Sequence, residues 1–203
     1  MGSPMLLALP QGVDAGGRIY AVYSGMGEDS ASIARIDRSE GMADLLARVK
    51  RGEVTVQESG GANDRNVMMV PIPLSPEDAW GVSADGSIVI ARSSDYHVEW
   101  IDADSVVTIG APFDYESVRL RTPEKEEFLA RQGRTGGGIG MGVTLENGRR
   151  TVMFRRGSGD RQELDSYPWP DVKKPPFYAG RLEVDPHGHV WVRRHVPAGE
   201  ANT

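Results

Sequence analysis

The chain contains no cysteine. That excludes disulfides, thiolate metal sites and cysteine nucleophiles, and it leaves the redox compartment open. Aromatic residues are sparse, at 7% of 203 positions. No apolar run approaches the roughly 18 residues of a membrane-spanning helix, so no membrane span is expected. A surplus of basic residues is also missing. The net charge is −6 with the signs interspersed, whereas a nucleic-acid surface needs a basic field. The short groups Arg149-Arg150, Arg155-Arg156 and Arg193-Arg194 read as solvated strand ends. The familiar catalytic signatures are absent: there is no G-x-S-x-G elbow, no H-E-x-x-H and no phosphate-binding loop with its lysine. The glycine run Gly136-Gly137-Gly138-Ile139-Gly140-Met141-Gly142 fits neither nucleotide-binding spacing and reads as a flexible linker.

What the sequence does have is punctuation. It carries 25 glycines and 13 prolines, which argues against long helices and for short strands joined by turns. Residues 1–4, Met1-Gly2-Ser3-Pro4, read as a vector scar, with Met5 as the native or internal start. "MLLALP" is too short, and lacks the basic flank, for a secretory signal. An exported natural precursor stays open.

Three segments follow one template: "GVDAGGRIYAVYSG" (Gly12–Gly25), "GVSADGSIVIARSS" (Gly81–Ser94) and "LEVDPHGHVWVRRH" (Leu182–His195). Each is a short apolar strand, a turn with Asp and Gly, then an alternating strand. Gly17, Gly86 and Gly188 supply the backbone angle that other residues resist. The first two copies continue into a third strand ending in Ile36-Asp37 and Ile101-Asp102. A fourth strand is expected at Ser105–Ala111 and at Asp44–Gly52, where a short helix is the alternative. Four antiparallel strands per repeat describe a β-propeller blade.

The spacing is irregular. Gly17 and Gly86 stand 69 positions apart, and Gly86 and Gly188 stand 102 apart, against about 40–50 for a plain blade. Insertions are therefore expected near 56–66 and over 122–170. The second predicts a short helix capped by Thr122 with Pro123 at its first position, docked by Phe128 and Leu129. A hairpin turning on Asn147-Gly148 follows.

The strings "DAWGVSADGSIVIARSSDYHVEWIDAD" and "KKPPFYAGRLEVDPHGHVWVRR" together resemble bacterial six-bladed β-propeller proteins of the NHL/TolB-like type, over most of the chain outside the insertions. The resemblance implies radial blades around a channel, with ligands held where loops converge at one end. On this reading residues 5–121 form two blades and residues 171–203 an incomplete third. Six blades of about 40 residues need roughly 250 or more. The expectation is thus an all-β fold: a partial propeller of about two and a half blades with a helix and hairpin insertion. Its open edges would be completed by oligomerisation of identical copies.

The rim connections and corners of such blades bring Asp78, Asp95, His97, Tyr178 and His195 toward one end. Asp95, His97 and His195 are the candidate acid–base groups and Asp78 and Tyr178 the candidate ligand-binding groups. An ordinary polar rim is the simpler reading. Asp185, His187 and His189 share a face of an extended chain and form a candidate divalent-metal site for calcium or zinc. A solvated turn is the simpler reading there. Asp37, Asp85 and Asp102 are expected to cap turns, and Trp80, Trp100 and Trp191 to pack in the core. Trp169 lies in a proline-rich connection open to solvent. The functional expectation is a self-associating scaffold for a small-molecule ligand. The alternative is a metal-dependent hydrolase of lactones, esters or phosphotriesters, which resemblance to gluconolactonase-type and paraoxonase-type propellers implies.

Overall fold

The computed structural model describes residues 9–24, 28–39, 41–59, 64–134, 139–146, 149–156, 167–170, 176–178 and 180–200. The expected vector scar at 1–4 lies outside them.

The turns are fixed locally. Gly17, Gly86 and Gly188 have φ of +78°, +92° and +83°, the left-handed region that a Cβ resists. Each glycine N–H donates to the carbonyl three residues back, that of Asp14, Ser83 or Asp185, at 3.0 Å. A carboxylate completes each turn: Asp14 accepts from the Arg18 N–H, Asp85 from that of Ser87, and Asp185 from those of His187 and His189. The three segments therefore share one hairpin geometry. Asp37 and Asp102 cap later turns in the same way.

The first hairpin opens a meander of four antiparallel strands, β1 (Leu9–Val13), β2 (Ile19–Tyr23), β3 (Ser30–Asp37) and β4 (Met42–Lys50), ordered as in the chain. β4 settles the Asp44 segment as strand. Its pairing with β3 runs from Ser30↔Lys50 to Asp37↔Met42, and such cross-strand partners outweigh helix propensities of under about 0.7 kcal/mol per residue.

Next come β5 (Val54–Ser59) and β6 (Asp64–Pro71), and then a second meander: β7 (Ala79–Val82), β8 (Ile88–Ala91), β9 (Val98–Ile101) and β10 (Val107–Ile109). Helix α1 (Thr122–Arg134) follows. Its Lys125 N–H donates to the Arg121 carbonyl, so Arg121 is the cap. The expected positions of Thr122 and Pro123 shift one residue inward. Glu124 reaches back to the Arg121 N–H at 3.0 Å, half of a capping box, and its other oxygen accepts from the Ala198 N–H. Phe128 meets Trp169 edge-on at 5.6 Å, with Lys125 over the same indole.

β11 (Ile139–Glu146) and β12 (Arg149–Arg156) form the expected hairpin, although Asn147-Gly148 lies outside the described residues. From Ile139 onward the glycine run is strand, not linker. β11 also pairs with β6, from Met69↔Met141 to Asp64↔Glu146. The two insertions thereby fuse into one four-stranded sheet, β12-β11-β6-β5.

The third hairpin is β14 (Glu183–Val184) and β15 (Val190–Trp191). The preceding β13 (Gly180–Arg181) pairs in parallel with β7.

Strand alternation then organises the core. All four positions of β8 are buried. Ile88 and Ile90, with Trp80 and Ile101, pack against Tyr20, Ala31, Ile33 and Val49 of the first sheet. Val89 and Ala91, with Ala79 and Val98, pack against Phe177 and Leu182, with Val184, Val190 and Val192 alongside. Each such aliphatic side chain contributes about 1.5–3 kcal/mol. The second sheet is covered on both faces; on the first, the face away from this seam has Ala21 and Ala34 buried but Val13 and Leu45 exposed. The described residues are thus all-β apart from one helix, built on antiparallel four-stranded meanders in the manner of blades, the second of them extended by the parallel β13. Trp80 is core, as expected, whereas Trp191 is 64% exposed: the described residues place nothing over that face of the third hairpin. Among the described residues no helix is long and apolar enough to cross a membrane.

Candidate functional site

The seam between the first two sheets opens at one end into a cleft of about 660 Å³. Asp78 clamps it. Lying just before β7, it exchanges backbone bonds with the end of β4: its N–H donates to the Lys50 carbonyl, and its Oδ2 accepts from the Lys50 N–H at 2.9 Å. Oδ1 accepts from the N–H and hydroxyl of Ser93. Arg92, at the end of β8, completes the clamp. Its Nη1 donates to Asp78 Oδ2 at 2.9 Å and to the Arg48 carbonyl at 2.8 Å, and its Nη2 to Glu99 Oε2 at 2.5 Å.

Glu99 carries the network on to His97. The imidazole is 11% exposed, with Nε2 at 3.1 Å from Glu99 Oε1 and Nδ1 at 2.8 Å from Asp95 Oδ1. The Ser94 hydroxyl donates to that same Asp95 oxygen. Burial works to raise the Glu99 carboxyl, but Arg92 and His97 outweigh it and hold it below the ordinary glutamate range. Asp95 is held low by the Ser94 hydroxyl first and, against a smaller effect of burial, by His97. Burial likewise opposes the Arg92 charge, and its bonds to Glu99 and Asp78 overcome that and raise its pKa. Between Asp95 and His97, Tyr96 sits at φ +63°, a left-handed conformation costing a side-chain-bearing residue about 1–2 kcal/mol. Chemically this is a continuous hydrogen-bonded chain. Both nitrogens of His97 are engaged by carboxylates, and Asp95, 61% exposed at its side chain, is the member open to solvent.

The structure therefore brings together Asp78, Asp95 and His97 of the expected five, and it separates Tyr178 and His195 from them. His195 is buried, its ring stacked on Tyr178 at 3.8 Å between centroids. Arg131 and Arg193 lie over Tyr178 at 4.8 and 5.6 Å. The cause of the separation is the stretch after β10. The Phe113 N–H donates to the Tyr96 carbonyl at 2.7 Å. That lays Tyr115 edge-on against Tyr96, with its hydroxyl 3.4 Å from the His195 carbonyl. Tyr115 thus stands between the two corners.

Asp185 and His189 pair through Oδ2 and Nδ1 at 2.8 Å, and the His187 and His189 rings are 6.3 Å apart. The carboxylate serves its own turn, and the backbone N–H of His189 is the first cause of its lowered pKa. Among the described residues no group of three His, Cys, Asp or Glu side chains is arranged to hold a metal ion.

Arg92 and Glu99 join the site without having been singled out in the sequence. The signal was present in Asp95-x-His97-x-Glu99, since residues two apart on an extended chain share a face. Compared with protein-family models, curated proteins and solved structures, the chain matches none.

Proposed function

We propose that the chain is a self-associating scaffold of propeller-type blades that receives a small ligand at the seam cleft. The observation that carries it is the unequal cover of equivalent sheets. The second sheet is sandwiched, while the outer face of the first leaves Val13 and Leu45 63% and 71% exposed at the two ends of a face whose Ala21 and Ala34 are buried. A sheet with an apolar face is stable when that face is buried against another layer. The cleft adds a rigid polar mouth beside the seam, with Asp95 at its open end. A metal-dependent hydrolase would need a converging ligand set, and no observation of the described residues favours it.

Size-exclusion chromatography with light scattering tests the proposal. The mass is expected to exceed the 22.1 kDa of one chain at micromolar concentration and to fall on dilution. A 22.1 kDa species throughout that range overturns it.

A further inference from the structure

The three hairpins are equivalent in sequence and in turn geometry, so equivalent positions can be compared for what covers them. Aligned on Gly17, Gly86 and Gly188, the strand after the turn matches Ile19 with Ile88 and Val190, and Tyr20 with Val89 and Trp191. The strand before the turn matches Val13 with Val82 and Val184. Neighbouring positions alternate between faces. In the second sheet, Ile88 and Val82 lie in the seam with the first sheet, and Val89 lies in the seam with the third hairpin. Tyr20 of the first sheet faces forward in the same way, and Val190 and Val184 of the third hairpin face back. Both seams therefore run in one sense, forward face of one unit against back face of the next.

Each end of this series leaves the matching position open. Trp191 is 64% exposed, where its equivalents Tyr20 and Val89 are 0%. Val13 is 63% exposed, where its equivalents Val82 and Val184 pack into seams. Val13 also shares its face with a second exposed aliphatic side chain: register places it in one row with Ile19, Ile36 and Ala43, beside a row of Pro10, Ala21, Ala34 and Leu45, in which Ala21 and Ala34 are buried and Leu45 is 71% exposed.

We infer that a second copy of this chain supplies both missing neighbours by docking head to tail. The forward face of the third hairpin, led by Trp191, seats against the back face of its partner's first sheet, led by Val13. This rests on the self-association proposed above and specifies its geometry. Its warrant is continuity with the seams inside the chain: a contact formed twice between equivalent faces is offered a third time by the two ends of one molecule. Pairing two identical back faces would be isologous and would leave Trp191 uncovered.

The test is complementation between two full-length variants, Val13→Glu and Trp191→Glu. Both positions are exposed, and each variant is expected to keep the wild-type circular dichroism. Alone, each carries a charge in every head-to-tail contact it can make and is expected to associate at least tenfold more weakly. Mixed, they restore one contact with neither substitution, and a dimer-sized species is expected to return. Because the chain lacks cysteine, Val13→Cys and Trp191→Cys give a second reading. A short bis-maleimide is expected to cross-link the mixture and neither variant alone. If the wild type associates but Trp191→Glu leaves its mass unchanged, or the mixture neither reassociates nor cross-links, head-to-tail docking is overturned and self-association stands. A monomeric wild type overturns both.

Discussion

Tyr20 concentrates the chemistry of the first seam in one side chain. Fully buried, it donates to Asp14 Oδ2 at 3.0 Å and lies 3.1 Å from the Gly86 carbonyl, tying the first hairpin to the second. Burial, and then its bond to the Asp14 carboxylate, push the phenol up to about 12. An unfolded chain ionises tyrosine near 10. The stability this group contributes is therefore fully present below about pH 10 and is lost as pH rises toward 12. Denaturant unfolding over that range is expected to show the decline. Tyr20→Phe is expected to flatten it and to cost about 1 kcal/mol at neutral pH. Arg92 makes the complementary case. Arg92→Met leaves Asp78 and Glu99 without their shared cation at a site where Asp78 is almost wholly buried. A loss of about 3 kcal/mol is expected in the same unfolding measurement. Val89→Ile, away from this network, would not report on it.

Among the elements, β7 leaves the least room for change. A Cβ on Gly81 would stand 2.3 Å from the Leu182 carbonyl oxygen, beside the bond from the Leu182 N–H to the Trp80 carbonyl. Gly81→Ala is expected to destabilise the fold by about 1–3 kcal/mol and to loosen the third hairpin first. A larger acceleration of amide exchange over wild type at Leu182 than at Ile90 would show this, whereas equal acceleration at both or no change would count against it. The hairpins themselves were legible because an Asp–Gly turn and a two-residue period are local facts. The β4 segment, with Leu45, Leu46 and Ala47, was ambiguous because β3 is what makes it a strand. The sheet formed by the two insertions was not legible: no local signal announces that Met69 will lie opposite Met141.

At the scale of the molecule, the candidate site was readable in part. Asp78, Asp95 and His97 fall together because the strand ends and corners of the first two sheets meet at one end of their seam. His195 and Tyr178 were placed with them wrongly because a connection after β10, whose path no periodicity records, puts Tyr115 in between. Trp191 was expected in the core for a sound reason, since its equivalents are core. Its exposure is a fact about neighbours, not about the hairpin. The pairing of β6 with β11 has a consequence in time. β6 is synthesised some seventy residues ahead of the strand that flanks it, so a ribosome-bound chain carries that edge bare after the two four-stranded meanders have emerged whole. Long-range closures of this kind are slow, so an unpaired strand edge, the usual template for mispairing, stays open longest at β6.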